Sequence, residues 1–170
     1  AAPRAAEATY SHRTARMEIA DILTLDAIVP ALHATSKKQA LQDLSRRAAA
    51  LTGVDERTIF DVLMERERLG TTGVGNGIAI PHGKLPNLKR LYGLFARLDR
   101  PIDFQAIDDQ PVDLIFLLLA PESAGADHLK ALARVSRLLR DKSVCEKLRG
   151  TEESEAIYAL LTESRETRAA

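Results

Sequence analysis

The run Leu114–Ala120 (LIFLLLA) constrains the fold more than any other stretch of this chain. It falls far short of the ~20 apolar residues a membrane span requires. Continuous β-forming apolar sequence over Val112–Leu119 is instead the pattern of a central strand covered on both faces. Such a strand needs a layer on either side, and the rest of the sequence supplies amphipathic helices for it. Ser36-Lys-Lys-Gln39 has capping-box spacing, and Leu41, Leu44, Ala48 and Leu51 follow at helical intervals to Gly53. Asp55 can cap a second helix, with Ile59, Leu63 and Arg66 along one face and Gly70 at its end. Beyond the break Pro121–Gly125, Asp127 can cap a helix bearing Leu132, Val135 and Leu139, and a last helix is predicted over about Glu152–Glu163. Strands are predicted at Ile78–Ile80, Leu91–Leu98 and Ile28–Leu32, the last confined to a sheet edge by Pro30. The expectation is one α/β sandwich from about Ile19 to Thr162, a buried sheet between helices.

Composition excludes several classes of function. Lys+Arg and Asp+Glu are both 24, so the basic excess of a nucleic-acid binder is missing. Trp is absent and aromatics make up 4%, which removes the stacking platforms of single-strand binders. Cys145 is the only cysteine and cannot close an internal disulfide, so a reducing, cytoplasmic compartment is expected and the thiol reads as structural. Residues 1–16 lack periodicity and a signal-peptide core. They read as an upstream extension or expression remnant ahead of Met17, and residues 164–170 as a tail.

The chemistry concentrates in Gly70–Lys84, GTTGVGNGIAIPHGK. Glycines 70, 73, 75 and 77 form a loop whose successive N–H groups can turn toward an anion. The loop runs into Ile78–Ile80 and stops at Pro81-His82-Gly83. Proline narrows the backbone before His82, and Gly83 tolerates conformations other residues do not. On the residues alone, His82 is either a surface histidine in a turn or an imidazole held for chemistry on an anion. Arg66, in the last turn before Gly70, either complements the helix dipole or leans over the loop as a phosphate-binding guanidinium. His128, at the head of the Leu132–Val135–Leu139 stripe, is either a core histidine or an anion-facing group at a helix N-terminus. His12 and His33 have no supporting pattern and receive no role.

Familiar alternatives fail on spacing. Walker A requires Lys-Ser/Thr after its last glycine, and Gly73-Val-Gly75-Asn-Gly77 is not G-x-G-x-x-G. There is no H-E-x-x-H, no cysteine pair and no G-x-S-x-G. Neither a metal nor a nucleotide cofactor is expected.

Arg66 through Lys84, RERLGTTGVGNGIAIPHGK, closely resembles the active-site signature of mannitol/fructose-type enzyme IIA domains (EIIA type 2) of the bacterial phosphotransferase system. The wording GVGNGIAIPHGK is most similar to the nitrogen-regulatory branch, and the likeness covers about residues 18–163. The resemblance implies a sheet of mixed direction sandwiched between helices. It implies a phosphoryl carrier in which His82 accepts phosphate at Nε2 from a phosphohistidine on an HPr-like carrier, with Nδ1 held by a backbone carbonyl. It further implies that Arg66 stabilises the phosphoryl group, that His128 supports the site, and that Thr71, Thr72, Gly73, Gly75, Asn76 and Gly77 form a phosphate-binding loop. Output through regulatory target proteins is expected. A sugar-transport role, passing phosphate to a IIB cysteine, is the alternative, disfavoured because the sequence as given holds no IIB segment.

Overall fold

The computed structural model describes residues 17–163; the readings of residues 1–16 and 164–170 lie outside them. The strands are β1 (Ile28–Leu32), β2 (Gly73–Gly75), β3 (Ile78–Ala79), β4 (His82–Leu85), β5 (Tyr92–Ile102) and β6 (Val112–Pro121). The helices are α1 (Lys37–Thr52), α2 (Glu56–Leu69), α3 (Ala126–Leu139), α4 (Lys142–Arg149) and α5 (Ser154–Thr162). None of these helices is long and apolar enough to cross a membrane.

β6 lies at the centre of one mixed sheet, antiparallel to β5 and parallel to both β3 and β4. β1 runs parallel to β5 at one edge, where Pro30 costs no ladder bond, and β2 closes the other. Because side chains alternate along a strand, β6 serves two cores at once. Ile115, Leu117 and Leu119 join Leu94, Ala96 and Leu98 of β5 against Leu41 and Leu44 of α1 and Ile59 and Leu63 of α2. Leu114, Phe116 and Leu118 join Phe95 against Val135 of α3, Leu148 of α4 and Ile157 of α5. The expected mixed sheet between two helical layers is therefore the observed architecture.

Local structure departs from expectation in several places. Ser36 Oγ accepts from Gln39 N, but the Gln39 side chain reaches back to Thr35 N and Oγ1 instead of to Ser36. Asp127 does not cap α3: the helix begins at Ala126, its N-cap is Gly125 at φ 53°, and no side chain caps it. The stretch read as a glycine loop is a β-hairpin, β2–β3, turning at Asn76-Gly77. Both turn residues have positive φ, 57° and 80°, as a two-residue type I′ turn requires.

The strand carrying His82 is parallel to β6 in two pieces with unchanged register. Ile78 lies opposite Leu114 and His82 opposite Leu118, an advance of four residues on each strand. The interruption is Ile80-Pro81, where proline has no N–H to give a ladder. Ile80 N bonds Thr72 O, Leu118 N bonds Pro81 O, and the Ile80 carbonyl is left to a side chain.

Gly83 is needed for space, not for conformational freedom. Its φ is not positive, which corrects the conformational reading. A Cβ there would lie 2.5 Å from Val62 Cγ1 of α2. Glycine thus lets α2 lie directly on β4, and Arg66 follows Val62 by one helical turn. Gly83→Ala is expected to destabilise the fold by about 1–3 kcal/mol through overpacking. A denaturation midpoint indistinguishable from wild type would show that Val62 yields freely.

Candidate active site

The interruption of the strand at Ile80-Pro81 orients one imidazole. His82 Nδ1 lies 2.8 Å from the Ile80 carbonyl, and Arg66 Nε lies 3.3 Å from His82 Nε2. A guanidinium can only donate, so Nε2 is the unprotonated nitrogen and Nδ1–H donates to Ile80. The same arginine donates from Nη1 to Gly70 O at 2.8 Å, bracing it against the end of its own helix. His82 therefore presents an in-plane lone pair at Nε2 within a fixed ring.

His128, in the first turn of α3, meets this ring edge-on, with centroids 5.7 Å apart and planes at 66°. It is 7% exposed, and its Nε2 is the one buried side-chain nitrogen or oxygen among the described residues without a hydrogen-bond partner. An unpaired buried imidazole nitrogen is costly unless something else satisfies it. The structure thus brings His82, Arg66 and His128 together from three elements.

Both histidines are held below the ordinary imidazole pKa of 6.5. For His82, burial is the main cause; the Ile80 carbonyl opposes it, the Arg66 cation adds to it, and Glu67 opposes it. For His128, burial leads again, followed by His82 and Lys84. The unfolded chain accordingly binds more protons than the folded one just below pH 6.5. The stability this contributes is complete above 6.5 and is lost as pH falls toward the folded values. Denaturation midpoints should drop between pH 7.5 and 5.5, and less steeply when both histidines are replaced; an equal slope in that double variant would exclude them as the cause.

A shallow cavity of about 340 Å³ opens beside the ring. Arg66, Thr71, Thr72, Val74 and His82 form one side, and Leu132, Ser136 and Arg140 of the α3 region form the other. Of the expected loop residues, Thr71 and Thr72 line it. Gly73, Gly75, Asn76 and Gly77 are not among its walls, and the amides of Gly73 and Asn76 are engaged elsewhere. Gly73 N donates to Thr71 Oγ1 and Asn76 N to Asp108 Oδ2, while the Asn76 carbonyl accepts from Arg149. A Cβ at Gly73 would come within 2.9 Å of the Ala106 Cα, so this glycine answers a close backbone approach. Glycines 73, 75 and 77 therefore belong to a hairpin and stand off the cavity, and of the expected loop only Thr71 and Thr72 face it.

One participant was not foreseen. The buried stripe of α2 is Ile59, Leu63 and Glu67, not Arg66. Glu67 continues the four-residue spacing from Leu63, and that spacing was the available signal. Its carboxylate pairs with Lys37 Nζ at 2.5 Å and accepts from Thr72 N and Thr72 Oγ1.

The family described as phosphoenolpyruvate-dependent sugar phosphotransferase system, EIIA 2, matches residues 21–164. A nitrogen regulatory protein of Bradyrhizobium diazoefficiens is 63% identical over 145 residues, covering 85% of this chain and 95% of that one. A nitrogen regulatory protein of Klebsiella oxytoca is 41% identical over 149 residues, covering 87% and 92%. The crystal structure of nitrogen regulatory protein IIA-Ntr from Neisseria meningitidis superposes with a TM-score of 0.81 at 37% identity, covering 85% of this chain and 99% of that one.

Proposed function

Because this chain belongs to the EIIA 2 family of the phosphoenolpyruvate-dependent sugar phosphotransferase system, we propose that it is a cytosolic phosphoryl carrier of the nitrogen branch, with His82 Nε2 as the acceptor. The observation that supports this reading best is the double restraint on His82, a carbonyl on Nδ1 and a guanidinium at Nε2. The names of the relatives favour the regulatory branch over a sugar-specific one.

The step joins two imidazoles. The Nε2 lone pair of His82 attacks phosphorus in line, the donor's P–N bond breaks, and the donor imidazole leaves with that electron pair. Nδ1 of His82 keeps its proton and its bond to Ile80. Arg66 Nε, now against Nε2, moves to the incoming phosphoryl oxygens, where opposite charge favours it. The unpartnered Nε2 of His128 supplies a second contact to the same group. Thr71 and Thr72 line the space beside it. The donor is an HPr-like phosphocarrier, and the recipients of the signal are regulatory proteins. With the Nδ1 proton retained, transfer adds about one net negative charge and three strong acceptor oxygens at this surface, enough for a docking partner to distinguish the two states.

Incubation with a phosphorylated HPr-like carrier should add one acid-labile phosphoryl group, seen by intact-protein mass spectrometry. No gain in mass would overturn the reading. His128→Ala should remain folded by circular dichroism yet transfer more slowly. A hydrogen bond to a charged group is worth about 1.5–3 kcal/mol, which corresponds to a slowing of roughly ten- to a hundredfold. An unchanged rate would leave His128 a packing residue.

A further inference from the structure

Beyond the groups that touch the phosphoryl site lies a buried ion pair that the transfer step does not use. Glu67, on the last turn of α2, and Lys37, the first residue of α1, have side chains only 4% and 14% exposed. The Lys37 ammonium also sits 4.8 Å from the centre of the Phe104 ring. Burying such a pair exacts a desolvation cost that a surface position would avoid, and solvent-exposed packing of α1 on α2 would not require it. What the pair does is visible in its partners. The Glu67 carboxylate accepts from Thr72 N at 3.1 Å and from Thr72 Oγ1. The Thr72 carbonyl accepts from Ile80 N at 3.0 Å, and the Ile80 carbonyl accepts from His82 Nδ1 at 2.8 Å.

These bonds connect Lys37 to the reacting ring through Glu67 and the backbones of Thr72 and Ile80, each of which is held on both its N–H and its carbonyl. The residue before Glu67 is Arg66, which holds the other ring nitrogen. One carboxylate thus ties the end of α2 to the start of the hairpin and fixes the distance between the two groups that grip His82. We infer that Glu67, set by Lys37, is a positioning residue that holds His82 in its Nδ1–H tautomer for phosphoryl transfer. The inference rests on the proposed role of His82. Lys37 orients the carboxylate; neither residue lines the cavity beside His82.

Glu67→Gln tests it. The glutamine oxygen can still accept from Thr72 N, but the amide is neutral and cannot hold the Lys37 ammonium as the carboxylate does. In ¹⁵N spectra of the ring-labelled protein, His82 should show the pure Nδ1–H pattern in wild type and a mixture of tautomers in the variant. Transfer from the phosphorylated carrier should slow at least tenfold in protein verified as folded. Asp113→Asn serves as the stability control: it breaks the bidentate Asp113–Arg149 pair at the far end of the hairpin, and should leave the His82 spectrum as in wild type. If Glu67→Gln fails to fold, Thr72→Val, which is isosteric and removes only the hydroxyl arm, should still mix the tautomers and slow transfer about threefold.

A wild-type tautomer pattern and rate in the folded Glu67→Gln protein overturns the inference, as does an equal tautomer shift in Asp113→Asn. With Glu67→Gln unfolded, a wild-type pattern and rate in Thr72→Val overturns it too. Failure of the wild-type protein to accept phosphate at His82 is a different result, and refutes the functional reading on which the inference rests.

Discussion

His82→Ala is expected to abolish phosphoryl incorporation from the phosphorylated carrier while leaving the fold intact. The ring is half-buried, its strand is held by backbone pairing to β6, and the cores on either side of the sheet do not include it. Stability should therefore change little, whereas the nucleophile disappears altogether. The competing acceptor is His128, whose Nε2 has no partner and whose ring lies next to that of His82. It lacks the two restraints found on His82: among the described residues no backbone carbonyl holds its ring and no guanidinium stands at its nitrogen. Acid-labile label persisting in His82→Ala, and lost on further replacement of His128, would transfer the acceptor role to His128.

Arg66→Ala carries the second-largest expected effect, a loss of about 10²–10³-fold in transfer rate, the range seen when one preorganised charge-stabilising donor is removed. The fold should tolerate it. Arg66 is partly exposed, and its contact with Gly70 O is a helix-end interaction worth less than about 1 kcal/mol. Lysine should restore only part of the rate, because a single ammonium cannot hold Gly70 O and reach the phosphoryl oxygens with the planar geometry of a guanidinium. The pH profile adds an independent sign. The Arg66 cation lowers the His82 pKa, so its removal lets that pKa rise toward 6.5. The acid limb of the rate profile should then move to higher pH in Arg66→Ala. A limb that stays in place, or moves to lower pH, would show that the cation does not act on the ring.

Much of this was readable from the chain because the relevant signals are local. The unbroken run Leu114–Ala120 requires two covering layers, and alternation of Leu114 and Ile115 to opposite cores is simply strand geometry. Pro30 marks an edge and Pro81 an interruption because each lacks an N–H. The less legible features depend on neighbours distant in sequence. Asp127 looks like a helix cap until the chain enters α3 through Gly125 with positive φ. The glycines look like an anion cradle until Asp108, Ala106 and Arg149 arrive from elsewhere and occupy the hairpin's amides, space and carbonyl. Glu67 looks like one of many helix-surface acids until Lys37 and Thr72 close over it.

By itself, the sequence determined the sandwich, its central strand and the helices that cover it, since periodicity acts over a few residues; it marked His82 as the candidate acceptor only through the likeness of the whole Arg66–Lys84 signature. Only the tertiary structure decided how the His82 ring is held. The Ile80 carbonyl, the Arg66 guanidinium and the His128 ring converge on His82 from a strand interruption, a helix end and a helix beginning. That convergence depends on β6 pairing with both β3 and β4 in one register and on Gly83 admitting α2 against the sheet. Hydrogen-bond direction and burial set the tautomer and the lowered pKa of the imidazole, and neither exists until those elements are packed together.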